Sequence, residues 1–536
     1  MNESATGAKI NLSKTKGLWV GKWKDRKDEP IKIEWTNKNV KTLGVYIGND
    51  NPAKSTFDEI IPQIKKSMNY WKQFKLSTFA KARVIEIFHA SKLWYAANFY
   101  HIPPSTQTDL QKAFFAYINF PHTTPTVNEQ EMKKLRLDGG VKLIDIKTKT
   151  DTSKVRWLME IMTNDKLTTH LALMTTLIGT QKGGLQGSDL FFTTKHYTKN
   201  ILRTQANFYK ASIQAITKLQ IRKKIEDPNQ EKVFYNPTFK NSGNNTIGIN
   251  LTCEKNKIYS YGQILTENEK RQNNQPHNRH ITNIYQQITN KDLENRTDNE
   301  IYDTKSEKYI NFNEATHKFI YQALIRITYK EHHSKRKWEE RLNNTTIEWN
   351  KVWNSLNNPI TTEDTKTIIW EQIHLNNYTT YSYNKWHRSQ QKCPFCQQIP
   401  QNKYHITIEC TALSSLWTEI VEHLQIIHPS QITDTEKIFG IQGITPNIIL
   451  RNWMTFILRQ IISEQENKAF YNKKGLGNIE DIKLLYNQKI KTDVWNKYNI
   501  YTSLGRIPYF TKTFAVNDHL IIWENQQWQI LTIFKL

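Results

Sequence analysis

Cysteine is scarce: the chain has four in 536 residues. So few cannot supply a disulfide framework at this length. Long apolar runs are also missing. The best, near Leu171 to Ile178, is interrupted by threonines and falls short of a membrane span. The N-terminus, Met1-Asn2-Glu3-Ser4, has no apolar h-region, so no secretory signal is expected. Repeats with a period of about 20–50 residues are absent. The expectation is an intracellular, soluble chain whose thiols stay reduced and free to bind metal.

Acidic residues are outnumbered, 50 against 74 Lys and Arg, for a formal charge of +24. Such an excess favours a polyanionic partner, most often nucleic acid. Part of it comes with a composition rich in Lys, Asn, Ile, Thr and Tyr, as an AT-rich coding sequence produces. Hydrophobic residues make up 38%, enough for sizeable cores, and the length calls for several domains.

Three short strands open the chain: Gly17 to Gly21, Ile31 to Trp35 with period two, and Leu43 to Ile47. Alone they bury too little for a stable domain, so the first fifty residues are expected to be poorly anchored. Phe57, Ile60, Ile61, Ile64, Met68 and Trp71 form one helical stripe. Ser77 is placed to cap a second helix running from Phe79 to Tyr95. A third helix covers Thr108 to Phe120 and stops at Pro121. The stretch from about 153 to 225 reads helical. Its loop Gly179 to Gly187 is glycine-rich but lacks the Gly-Lys-Ser/Thr ending of a P-loop. From Glu267 to Glu300 the composition turns polar and reads as a linker or mobile insertion. Trp338, Trp349, Trp353 and Trp370 recur as expected core. Leu413, Leu416, Trp417, Ile420, Val421 and Leu424 mark an amphipathic helix. Another helix runs from Asn447 to Tyr471, ending at Asn472 to Gly477, and a basic one carries Lys483, Lys489 and Lys491. Leu520 to Trp523 and Trp528 to Ile533 read as a terminal hairpin. The whole is mainly α, with small β pieces at each end.

Three of the four cysteines share one window: Cys393-Pro394-Phe395-Cys396, then His405 and Cys410. The pattern C-x2-C-x8-H-x4-C suits tetrahedral zinc. The Cys-x-x-Cys turn brings two thiolates to one point. His405 is expected on a short strand to Ile408. Cys410 is expected to open the helix from Thr411, where the dipole favours a thiolate. A redox Cys-x-x-Cys is the rival reading; the third cysteine and the histidine are superfluous to it. With all four positions filled by protein the zinc is structural, and it is expected to stabilise about thirty residues with a small core.

Several stretches resemble non-LTR (LINE-type) retrotransposon reverse transcriptases. Gly7 to Asn11 with Lys14-Thr-Lys16 resembles the strand-loop after the catalytic centre, motif D. Lys41 to Ile47 looks like the primer-grip hairpin, with Leu43, Gly44 and Val45 at its centre. Trp71 through Leu76-Ser77, Arg83-Val84-Ile85 and Leu93-Trp94-Tyr95 is similar to the thumb helices. Phe120 followed by Gly139 to Ile146 resembles the stretch beyond them, although the family's tryptophan is missing after Phe120. Trp349 to Trp353, Trp370 to His374 and the block Cys393 to Trp417 resemble the zinc-binding region. The order is collinear over most of the chain.

These patterns and the resemblance together divide the chain. They give a palm remnant with motif D and primer grip (1–52), a helical thumb (53–125) and a mostly helical connector (126–266). A polar linker (267–300), a Trp-rich helical region (301–390), a zinc-binding domain (391–425) and a C-terminal helical region with a hairpin (426–536) follow. The resemblance implies zinc as structural cofactor and RNA or an RNA–DNA duplex as partner, with no membrane. It places the protein in the nucleus or cytoplasm with element RNA. Lys9, Lys14 and Lys16 would lie near the primer–template end. Lys65, Lys72, Lys81 and Arg83 would touch backbone phosphates without reading sequence.

The sequence has no Tyr-x-Asp-Asp and no adjacent aspartate pair. Two-metal phosphoryl transfer needs paired carboxylates, so Mg²⁺ would enter only with a palm that carries them. The reading is therefore a truncated reverse transcriptase that binds nucleic acid without polymerase activity of its own. The alternatives are a zinc-stabilised interaction module or non-functional relic, and an active polymerase whose catalytic part is missing from the gene model.

Overall fold

The computed structural model describes residues 11–121, 127–163, 184, 187–192, 207–329, 334–343, 346–374, 392–398, 402–472, 478–516, 520–525 and 527–534. Helix dominates them, and their sheets have two or three strands each. The chain divides into two compact units, each assembled from three segments. One joins Met1–Tyr70, Phe88–Ala113 and Asp145–Thr328; the other joins Trp71–Ile87, Phe114–Ile144 and Tyr329–Leu536.

The first unit opens with β1 (Lys16–Leu18) parallel to β2 (Glu34–Thr36). Trp35 lies over Gly17 and stacks on Trp19 at 4.3 Å. Strands β3 (Asn39–Thr42) and β4 (Val45–Gly48) form an antiparallel hairpin. It turns at Leu43 and Gly44, both with positive φ (47° and 85°), which is what a two-residue hairpin loop demands. These strands are not loose, contrary to the expectation. The Thr56 hydroxyl of α1 (Pro52–Trp71) accepts the Tyr46 N–H at 3.0 Å. The Tyr100 hydroxyl donates to the Tyr46 carbonyl, and Asn49 bridges the carbonyls of Trp19 and Asn37 at 2.7 Å. Backbone polar groups of short strands need such partners to stay paired away from a wide sheet. Along α1, Phe57, Ile64 and Met68 are buried.

Further on come α2 (Ser91–Phe99), α3 (Ile146–Thr163) and α4 (Asn207–Ile216). A core forms from Val155, Leu158 and Met159 of α3, Ile213 and Ile216 of α4, and Ile320 and Leu324 of a later helix. Strand β5 (Ile221–Arg222) edges a three-stranded sheet with β6 (Glu300–Asp303) and β7 (Lys308–Asn311). The polar stretch 267–300 is folded rather than a linker. Helix Tyr261–Gln272 starts in a Ser260/Gln263 capping box. Helix Arg279–Gln287 buries Ile281 and Ile284 against Ile264, Phe239 and Cys253. Few apolar residues suffice there because they fall three apart on one face.

In the second unit, Ser77 caps helix Thr78–Val84 by accepting the Ala80 N–H, as expected. The tryptophans are core: Trp338, Trp353 and Trp370 are at most 1% exposed. Trp353 and Trp370 pack against Gly139. Its carbonyl accepts from Trp370 Nε1 and from His374 Nε2, both at 2.7 Å. Its φ is +90°, and an added Cβ would fall 2.7 Å from the Trp353 ring. Gly139→Ala is therefore expected to lower stability by about 2–5 kcal/mol, from left-handed strain plus overpacking. Urea midpoints measure this. Gly248→Ala, where nothing lies within 4 Å, is the control and should stay within about 0.5 kcal/mol.

A large core of this unit joins α5 (Thr411–Ile427), α6 (Pro446–Asn472), α7 (Ile479–Ser503) and α8 (Ile507–Phe514). The terminal hairpin, β8 (Ile521–Glu524) with β9 (Gln527–Ile530), completes it.

Candidate metal centre

Cys393, Cys396, His405 and Cys410 place their ligand atoms within 4.8 Å of one another. Each arrives by local chain geometry. The Cys393 N–H donates to the Gln398 carbonyl at 2.8 Å, and the Gln397 N–H to the Cys393 carbonyl at 3.0 Å. Gln397 takes φ +61° to close this knuckle, and its side-chain amide donates to the same Cys393 carbonyl. Phe395, 8% exposed, anchors the tip in the core.

His405 does not lie on a strand. Residues His405–Glu409 form a π-helical turn. Asn402 starts it by accepting the His405 N–H at 3.0 Å, and the Cys410 N–H closes it on the His405 carbonyl at 2.7 Å. Local side-chain caps outcompete the β preference of Ile406-Thr407-Ile408. The turn points Nε2 of His405 at Cys396 Sγ, 3.3 Å away, and Nδ1 toward the Glu409 carboxylate, 3.8 Å away. A carboxylate behind a ligating histidine fixes its ring and raises its basicity. Cys410 sits at the N-cap of α5, as the sequence predicts.

The thiols crowd. Donation to Cys410 pushes the Cys393 thiol up to about 12, aided by burial, while the same bond lowers Cys410. Sulfurs sharing protons at such range are the arrangement a cation replaces. Three soft sulfurs and an imidazole fit Zn²⁺, with bonds of about 2.0–2.3 Å. No fourth position is left for water or substrate, so the set can clip chain segments together and offers no Lewis-acid site. The ligands are not in a small core of their own. Cys393, Phe395, Ile406 and Cys410 belong to the core of α5 to α8 and the terminal hairpin.

Two partners of this turn escape a reading of the cysteine window. Lys403 and Glu466 form an ion pair, with side chains 5% and 2% exposed. The pair ties the His405 turn to α6. The two residues lie 63 positions apart, and nothing local in the sequence couples them. Glu409 was legible in principle, as an acid four residues after a ligand histidine.

The basic residues fare unequally. Lys9 lies outside the described residues, as do the glycine-rich segment 179–183 and the apolar run 171–178. Lys14 and Lys65 are exposed, and Lys16 is ion-paired with Glu34 at 2.7 Å. In the second unit Arg83 is exposed, and Lys72 sits 5.5 Å from the Phe120 ring. Lys81 is a correction: it is 9% exposed and donates to the carbonyls of Phe120 and Ile118. Burial lowers its pKa. It satisfies the end of helix Pro104–Asn119 and has no free face for a phosphate. Of the primer-grip residues, Val45 is buried, while Leu43 is 85% exposed at the hairpin tip beside Gly44.

Among the described residues, no helix is long and apolar enough to cross a membrane. What fold and site define is a mainly helical chain of two units with a closed Cys3His set compatible with structural zinc. Compared with known proteins, the chain matches no protein-family model and no curated sequence.

Proposed function

We propose that this chain is a nucleic-acid-binding portion of a non-LTR-type reverse transcriptase, clipped by structural zinc and without polymerase activity of its own. The observation that carries the reading is the closed Cys3His set, with Cys410 opening an amphipathic helix. It stands at the point in the chain where the family resemblance calls for a zinc region. The hairpin Asn39–Gly48 and the capped helix at Ser77 fall where that resemblance expects a primer grip and a thumb. The net charge of +24 supports a polyanionic partner. Zinc would stiffen the chain and take no part in chemistry. The proposed phosphate contacts are Lys14 and Lys65 in the first unit and, separately, Lys72 and Arg83 in the second.

The test is anisotropy with an RNA–DNA duplex over a salt series. Affinity should fall steeply, with a log–log slope of about −0.9 per phosphate contact. The double variant Lys65→Gln/Arg83→Gln should make that slope shallower by about 2. A flat salt response would remove the reading. The second reading, a protein-interaction module, rests on Tyr95 and Phe99. They are 47% and 53% exposed, with ring centroids 5.1 Å apart on α2. Salt-independent behaviour would favour it.

A further inference from the structure

Arg459 lies in the middle of α6 and is only 3% exposed. Its Nη1 donates to the Ile438 carbonyl, and its Nη2 to Gln372 Oε1 at 2.5 Å. Among the described residues its Nε–H has no acceptor. The indole Nε1–H of Trp417, on α5, is buried and has none either. Both side chains line one cavity of about 10 Å³, together with Gln372, Ser463 and the Lys403–Glu466 pair. Nε and Nη2 occupy one edge of the guanidinium plane, so the free Nε–H lies on the edge that meets Gln372.

The charges do not balance. The cavity walls carry two cations and one acid, Lys403, Arg459 and Glu466, and Glu466 already pairs with Lys403. Burial pushes the Arg459 pKa down to about 9, with no acid acting against it, so the guanidinium stays charged at neutral pH. A cation taken from water without a counter-charge is unfavourable. Of the side-chain atoms on the lining residues, those left without a partner are both donors. A water accepting from them would need acceptors for its own two hydrogens, and it brings no charge. An anion accepts from both, needs no acceptor and cancels the surplus. The volume admits one occupant about the size of a water molecule, which excludes phosphate, sulfate and carboxylates.

We propose that this cavity binds a single halide ion, chloride under ordinary conditions, held by Trp417 Nε1 and Arg459 Nε. Its walls come from three places in the chain. Lys403, Ile406 and Thr407 belong to the segment of the His405 turn, Trp417 to α5, and Arg459, Ile462, Ser463 and Glu466 to α6. An ion between Trp417 and Arg459 joins α5 to α6 through charge-assisted hydrogen bonds. It also neutralises a charge that the fold has already buried. The site lies beside the metal turn without drawing on any metal ligand. It is independent of the nucleic-acid reading, because its two donors are buried and are none of the proposed phosphate contacts.

The experiment uses the full zinc-loaded chain and chloride itself. Chloride replaces gluconate, an anion too large for the cavity, at constant ionic strength, and the urea midpoint is followed. A saturable rise is expected, and bromide should reproduce it. Trp417→Phe removes one donor with little loss of volume. It should raise the chloride concentration at half-effect about tenfold, whatever it does to the midpoint itself. Trp523→Phe, at an indole 56% exposed, should leave the half-effect concentration as it was. Where Trp417→Phe does not fold, anomalous scattering from bromide in crystals of the unaltered chain decides. A peak beside Trp417 Nε1 and Arg459 Nε is expected, and no peak there overturns the proposal. Equal stability in chloride and gluconate also overturns it, leaving a water in the cavity. So does an equal response of the two variants, which marks chloride held only by the basic surface.

Discussion

Replacing Cys396 with serine is expected to abolish stoichiometric zinc and to loosen the chain well beyond the knuckle. Cys396 Sγ lies 3.3 Å from His405 Nε2, and it is the least buried of the three thiols in the set. A serine hydroxyl is not ionised near neutral pH and binds zinc poorly, so three ligands remain. Structural zinc in small peptides is worth about 10–16 kcal/mol of apparent binding free energy. Here the effect divides differently, because the ligands are set into the core that α5, α6 and α7 share. The helices retain their apolar contacts, while the knuckle and the turn His405–Glu409 lose what holds them. Hydrogen exchange should rise first over 402–410 and next along the start of α5. Chelation of the unmodified protein should give the same pattern. Metal analysis after dialysis checks the claim, and one zinc per chain surviving in Cys396→Ser removes the assignment.

The metal set was legible because its four residues lie within eighteen positions of one another. Spacing alone then decides which side chains can meet. The same locality made the Ser77 cap, the amphipathic helix from Thr411 and the terminal hairpin readable. The tryptophans were readable as core for another reason: rings of that size have few other ways out of water. What failed was long-range. Lys81 looked like one more exposed thumb lysine, but the carbonyls that receive it lie 37 and 39 residues away. The polar stretch near Ile281 and Ile284 hid a helix, because composition averages over the face that matters. The interleaving of 88–113 with 145–328 has no sequence signature at all. The His405 turn failed for a local reason, since one asparagine cap redirected a β-prone run.

Glu466→Ala is the second large effect, and it separates the scaffold of the metal turn from the metal itself. Lys403 and Glu466 are paired with almost no solvent contact, and Ser463 stands 3.4 Å from the same ammonium. Removing Glu466 leaves a buried ammonium with a hydroxyl and no carboxylate. Breaking a buried pair from one side typically lowers stability by about 3–5 kcal/mol. That exceeds what any exposed ion pair of this chain is worth, about 0–1 kcal/mol. Arg336 with Glu340, both largely exposed, gives the contrast: Glu340→Ala should barely move the urea midpoint. The double replacement Lys403→Met/Glu466→Leu should recover most of the loss, since neither charge then remains to be desolvated. If the pair is merely attractive, the double variant will be as unstable as Glu466→Ala or worse. If burial of an uncompensated charge is the cause, it will be the more stable of the two. Zinc content in the double variant should stay near one per chain, because Asn402 and the Cys410 N–H still shape the turn. A double variant that refolds yet loses its zinc would show that the ion pair, and not these local bonds, sets the position of His405.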